Sequence, residues 1–87
     1  MPDNTLPTAV ILDVEQLFER PMQQARLGEY EQRALSLAGE GRDIVITGRG
    51  PIWLYLRLAH ELHGVARTLT YRSPEAGDVL VFDHRSR

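Results

Sequence analysis

Short apolar runs rich in β-branched residues alternate with longer segments of helical spacing, and this alternation narrows the fold more than any other feature of the sequence. Ala9-Val10-Ile11-Leu12-Asp13-Val14 is the first run and is expected to form a strand. Leu27, Tyr30, Ala34 and Leu37 then recur three and four residues apart, the spacing of one helix face. Gly39-Glu40-Gly41 ends that helix. Asp43-Ile44-Val45-Ile46-Thr47 is an apolar run between turn residues and reads as a buried strand.

Pro51 is expected at the first position of a second helix, where its missing N–H has no intrahelical partner to lose. Ile52, Tyr55, Leu56, Ala59 and Leu62 make the apolar stripe of that helix, and Gly64 stops it after His63. Val65 to Tyr71 is expected as a third strand, Arg72-Ser73-Pro74-Glu75-Ala76-Gly77 as a turn, and Asp78 to Phe82 as a fourth strand. The stretch Glu15 to Pro21 carries no decisive pattern.

The order β-α-β-α-β-β implies right-handed parallel crossovers, hence a small Rossmann-like α/β sheet whose last two strands form a hairpin. A chain of 87 residues is expected to be one domain, 1–87, with one modest core. Its stability should fall at about 4–13 kcal/mol. Met1 to Thr8 is polar, contains two prolines and is expected to fray. Two helices cannot cover a four-stranded sheet completely, and homodimerisation is the usual remedy.

Composition removes several classes. The chain has no cysteine, which excludes disulfide scaffolds, thiolate zinc sites and cysteine nucleophiles. No apolar run approaches the roughly 20 residues of a membrane span. Met1-Pro2-Asp3-Asn4-Thr5 lacks the basic start of a signal peptide, so a cytoplasmic location away from membranes is expected. The net charge of −2 argues against a general polyanion binder, DNA included. All ten basic residues are arginine. That pattern fits either a compositional bias or a use of the guanidinium fork against phosphate.

The segment Ile44 to His63 carries the functional signal. Ligands of open α/β sheets bind beyond the carboxyl ends of strands, where Thr47-Gly48-Arg49-Gly50-Pro51 lies. Its glycines allow close backbone approach, and free N–H groups before a helix suit an anion. Arg49 could grip phosphate through two hydrogen bonds, and Thr47 could supply a hydroxyl. His60 and His63 share a helix face and suit proton transfer or metal binding; a place near a helix C-terminus explains them equally well. They lie about 15 Å from the glycine loop by helix rise, so a large ligand or a second subunit is needed to join the two. His84, beside Asp83, is expected to approach the histidines. Trp53 fits a core or interface position, or a base-stacking one.

Ile46-Thr47-Gly48-Arg49-Gly50-Pro51-Ile52-Trp53-Leu54, followed by Leu58-Ala59-His60 and His63, resembles the small single-domain CRISPR-associated ring nucleases of type III systems. The strong likeness spans Ile44 to His63, about a quarter of the chain. It extends weakly to Phe18-Glu19-Arg20-Pro21, to Tyr71 and to Val79 through His84. The resemblance implies a domain related to the CRISPR-associated Rossmann-fold sensors. It implies binding of cyclic tetra-adenylate and cleavage to linear di-adenylate, which switches off antiviral signalling. It also implies dependence on manganese (Mn2+), removal of adenylates from RNA 3′ ends, and dimers that stack head to tail around the ring. His60, supported by His63, is then the catalytic candidate, and Thr47 through Pro51 the ligand loop. The family pattern Tyr-Asp-Pro-Arg is replaced by Tyr71-Arg72-Ser73-Pro74-Glu75, without the Asp, and Glu75 and Asp78 are the possible substitutes. Family members also continue beyond the position of Arg87 with a further element. Ring binding is thus better supported than cleavage; a non-catalytic binder of the ring and an RNA-processing accessory protein are the alternatives.

Overall fold

The computed structural model describes residues 9–85, so the expectation for Met1 to Thr8 lies outside the described residues. The elements are β1 (Val10–Asp13), α1 (Val14–Leu17), a 3₁₀ turn at Gln24–Arg26, α2 (Leu27–Ala38), β2 (Asp43–Thr47), α3 (Ile52–Leu62), β3 (Thr68–Ser73) and β4 (Gly77–Asp83). They form one sheet in the order β1-β2-β3-β4, with the first three strands parallel and β4 antiparallel to β3. This is the small Rossmann-like α/β architecture that the alternation of patterns requires. Both crossovers step in the same direction, so right-handed connections place α2 and α3 on one face of the sheet. The two helices pack together, and Arg57 reaches Glu31 across them at 3.0 Å.

Leu12, Ile44, Ile46 and Leu69 point from the sheet into one core with Leu54, Leu58 and Leu62 of α3 and Tyr30, Ala34 and Ala38 of α2. Two predicted stripes are corrected here. Leu37 is 45% exposed, and Ala38 occupies the buried position instead. In α3, Ile52 and Leu56 are 77% and 65% exposed. Of the stripe read from the sequence, only Leu62 is fully buried. The cause is that α3 is apolar nearly all round, so two helical stripes compete. The crossover geometry turns Leu54, Leu58 and Leu62 onto the sheet and α2.

Element boundaries shift for local reasons. Val14 leaves the strand because the Asp13 carboxylate accepts the Glu15 N–H at 3.0 Å and caps α1. Pro51 is the residue before α3 rather than its first helical residue, with extended ψ of 151°. The carbonyl of Leu62 accepts from Val65 and Ala66, so these residues close the helix end and β3 starts at Thr68. Arg72 and Ser73, expected in the turn, pair with Asp78 and Gly77 as strand residues. The turn shrinks to Pro74–Ala76, whose Glu75 and Ala76 N–H groups donate to the Ser73 hydroxyl at 3.1 Å.

The sheet remains partly uncovered. On the face away from the helices, Ile11, Val45, Thr70 and Leu80 form one row across the strands. Ile11 and Leu80 are exposed. On the helix side, α3 stops short of β4. An apolar groove of about 290 Å³ opens there, lined by Ile52, Tyr55, Leu56, Tyr71 and Val81 among others. Among the described residues, no helix is long and apolar enough to cross a membrane.

Candidate functional site

The carboxyl ends of β1, β2 and β3 converge on the glycine loop. Gly48 has φ of +98°, a conformation that side chains other than glycine rarely adopt. A Cβ there would also overlap Asp13 Oδ1 and come to 3.0 Å from the Glu15 nitrogen. The loop is therefore shaped by close contact with the end of β1. Tyr55, one turn into α3, donates its hydroxyl to the Gly48 carbonyl. Burial, the largest cause, pushes this phenol up to about 12, and the neighbouring Tyr71, Asp13 and Glu15 act in the same sense. Tyr55 therefore stays a donor across the neutral range and pins the loop to the helix. Its ring also packs edge-on against Tyr71, 5.2 Å between centroids.

Two of the loop groups expected to face a ligand are already engaged. The Arg49 N–H donates to Glu15 Oε1 at 3.3 Å. The Thr47 hydroxyl donates to the Arg72 carbonyl at 3.0 Å and ties the ends of β2 and β3 together. The expectation of free loop N–H groups is thus corrected at Arg49, and the expectation of a spare hydroxyl at Thr47. The Arg49 side chain makes no ion pair among the described residues. It separates two depressions. One, of about 260 Å³, is lined by Glu15, Thr47, Gly48, Arg49, Arg72, Ser73 and Pro74. The other, of about 340 Å³, is lined by Arg20, Pro21, Met22, Arg49, Gly50, Pro51 and Trp53. Gly50 and Pro51 therefore face the second depression, next to a half-buried Trp53.

Arg72 occupies the position where the resemblance leads one to expect an acid. Its guanidinium forks onto Asp78, at 2.9 and 3.3 Å. The hydrogen bond from Arg72 holds the Asp78 carboxyl below its ordinary value. Asp78 is thereby committed to a cation, and Glu75 sits in the exposed hairpin turn at the same end of the sheet.

The histidines lie at the other end of α3. His60 is exposed. His63 does not converge with it but packs on His84 at 4.7 Å and on Phe82 at 4.9 Å between ring centroids. The expected approach of His84 to the helix histidines thus holds for His63. Among the described residues, no group of three or more His, Asp or Glu side chains could hold a metal ion. The manganese implied by the resemblance thus finds no such three-residue group among the described residues, and no chemical step below runs through it.

The sequence of the family described as CRISPR-associated protein (Cas_csx3) matches residues 17–87 of the chain. The chain belongs to this family. No solved structure matches it. The matched segment takes in Arg20, the whole glycine loop, the three histidines and Arg72, so both ends of α3 belong to the family's common part. Asp13 and Glu15 precede it.

Sequence reasoning missed three residues of the site. Glu15 fell in the stretch without pattern, Arg72 in the presumed turn, and Tyr55 among apolar stripe residues. A signal for the first existed: Asp13 and Glu15 sit at the carboxyl end of the first strand, which a parallel sheet places beside the carboxyl end of the second.

Proposed function

We propose that this CRISPR-associated chain binds cyclic tetra-adenylate at the glycine loop and breaks it to linear di-adenylate, ending the antiviral signal. The observation that carries the reading is the depression at the strand ends, which Arg49 and Arg72 line together with the glycine loop. Guanidinium groups beside close-approach backbone suit the phosphates of a cyclic oligonucleotide. Cleavage would proceed by attack of a ribose 2′-hydroxyl on the adjacent phosphorus. The P–O5′ bond breaks, leaving a 2′,3′-cyclic phosphate and a 5′-hydroxyl. The attacking hydroxyl loses its proton to a base, and an acid returns one to the leaving oxygen. His60 is assigned that proton transfer; His63, packed on His84 and Phe82, is not part of it.

Within one chain, His60 lies about 12 Å along α3 from Ile52 by helix rise. The proposal therefore includes a homodimer, and stacked dimers around the ring. The unpaired edge of β4 and the apolar groove beside it, with Ile52, Leu56, Val79 and Val81 exposed, support self-association. Light scattering that shows only monomer at micromolar concentration, with and without ring, contradicts this part.

A second reading is a binder that senses or sequesters the ring without cutting it. It is favoured by Arg72 standing where the family pattern has Asp, and by the distance between His60 and the loop. Incubation with radiolabelled cyclic tetra-adenylate, with and without manganese, separates the readings. Product formation supports the nuclease, and a stoichiometric gel shift without product the binder. The absence of both product and gel shift supports an RNA-processing accessory role. Arg49→Ala is expected to weaken ring binding by about 1.5–3 kcal/mol, the worth of a charged hydrogen bond. Titration calorimetry on the variant checks this, and an unchanged dissociation constant removes Arg49 from the site.

A further inference from the structure

We infer that the Glu15 carboxylate is an internal occupant of the anion seat at the glycine loop, which a phosphate must displace in order to bind. The inference rests on the reading of this loop as a phosphate site. Its two oxygens meet two separate anion-binding groups. Oε1 accepts the Arg49 N–H at 3.3 Å, and Oε2 stands 3.6 Å from the Arg20 guanidinium. A carboxylate held by a backbone N–H and a guanidinium occupies the place a phosphate oxygen pair would take.

Both contacts are long, so neither holds the side chain strongly. The backbone of Glu15, by contrast, is fixed by the 3.0 Å bond from its N–H to Asp13 Oδ1. The carboxylate can therefore swing out on its own side-chain torsions while α1 and the loop keep their places. Its departure frees the Arg49 N–H and releases Arg20, which lines the neighbouring depression with Arg49 and Trp53. An incoming phosphate thus exchanges with Glu15 for two donors at once. If the carboxylate stayed, two anions would share those donors and repel each other. Glu15 accordingly sets the affinity of the loop for phosphate; it is a positioning and tuning residue.

The test uses Glu15→Gln, which keeps the size of the side chain and one acceptor oxygen for the Arg49 N–H, and removes the charge. Probes are inorganic phosphate, followed by amide shifts of Thr47, Arg49 and Arg72, and cyclic tetra-adenylate, followed by calorimetry. Both should bind about twofold to fivefold more tightly to the variant, the scale set by removing one partly exposed competing charge. Glu15→Asp, which keeps the charge but withdraws it from the loop by one methylene, should also tighten binding, and carries the test if the glutamine variant fails to fold. Binding that is unchanged or weaker in both variants overturns the proposal, as does failure of inorganic phosphate to shift the loop amides in any of the proteins. If phosphate binding tightens while cyclic tetra-adenylate binds neither parent nor variant, the anion seat stands and the ring reading fails.

Discussion

Replacing His60 by alanine is expected to leave ring binding nearly intact and to cut turnover by about 10²–10⁴-fold, the scale of one acid–base group. The side chain is exposed on the last turn of α3 and supports nothing in the core, so the fold should survive the change. Stability should move by less than about 0.5 kcal/mol, as for other exposed positions. An imidazole suits proton transfer in the chemical step, whereas a guanidinium suits the binding of phosphate. The two variants should therefore fail differently: Arg49→Ala in dissociation constant, His60→Ala in rate at saturating ring. If His60 and Arg49 meet at the ring from different dimers, mixing the two variants should restore part of the activity. Single-turnover kinetics with labelled ring make the measurement. Full turnover by His60→Ala would sink the assignment and move the search to Glu75, Asp78 and His84.

Leu58→Ala should destabilise the chain by about 2–5 kcal/mol, through lost transfer energy and an unfilled cavity. Leu58 is completely buried, between its equally buried neighbours Leu54 and Leu62 on the same stripe. Against an expected total of about 4–13 kcal/mol this is a large fraction, and the melting temperature should drop by at least roughly 8 °C. The informative control is Leu56→Ala on the same helix. Leu56 is 65% exposed beside the apolar groove, and its truncation should change monomer stability by only about 0.5 kcal/mol. Thermal unfolding of both variants at dilute concentration decides the matter. Equal losses at the two positions would mean that α3 is rotated from the orientation described.

The same pair of leucines shows how far the sequence could be read. Spacing placed Tyr30 and Ala34 correctly on the buried face of α2 but put Leu37 there in place of Ala38. Around α3, leucine, isoleucine and tyrosine occur on nearly every side, and spacing could not choose between the stripe through Leu56 and the stripe through Leu58. That choice depends on which side meets β1, β2 and α2, a property of the crossovers and not of the helix. The glycine loop was legible for a local reason. Gly48 and Gly50 adjoin a strand and a helix start in the sequence itself, and the loop's place at the carboxyl end of a strand follows from parallel topology.

What the sequence determined by itself is the set of local elements: four apolar runs as strands, two amphipathic segments as the main helices, glycine and proline as their boundaries. These rest on interactions between residues near in sequence, whose periodicity a single chain displays. What only the tertiary structure decided is the company each functional side chain keeps. Glu15 and Arg49 are 34 residues apart in sequence, and Thr47 and Arg72 are 25 apart, yet each pair is joined by a hydrogen bond. Arg72 forks onto Asp78 because an antiparallel register brings them opposite each other. His63 turns to His84 and Phe82 and away from a shared site with His60 because β4 ends beside α3. Such contacts depend on strand order and register, which arise from burying all the apolar faces together, and no local stretch of the chain carries that information.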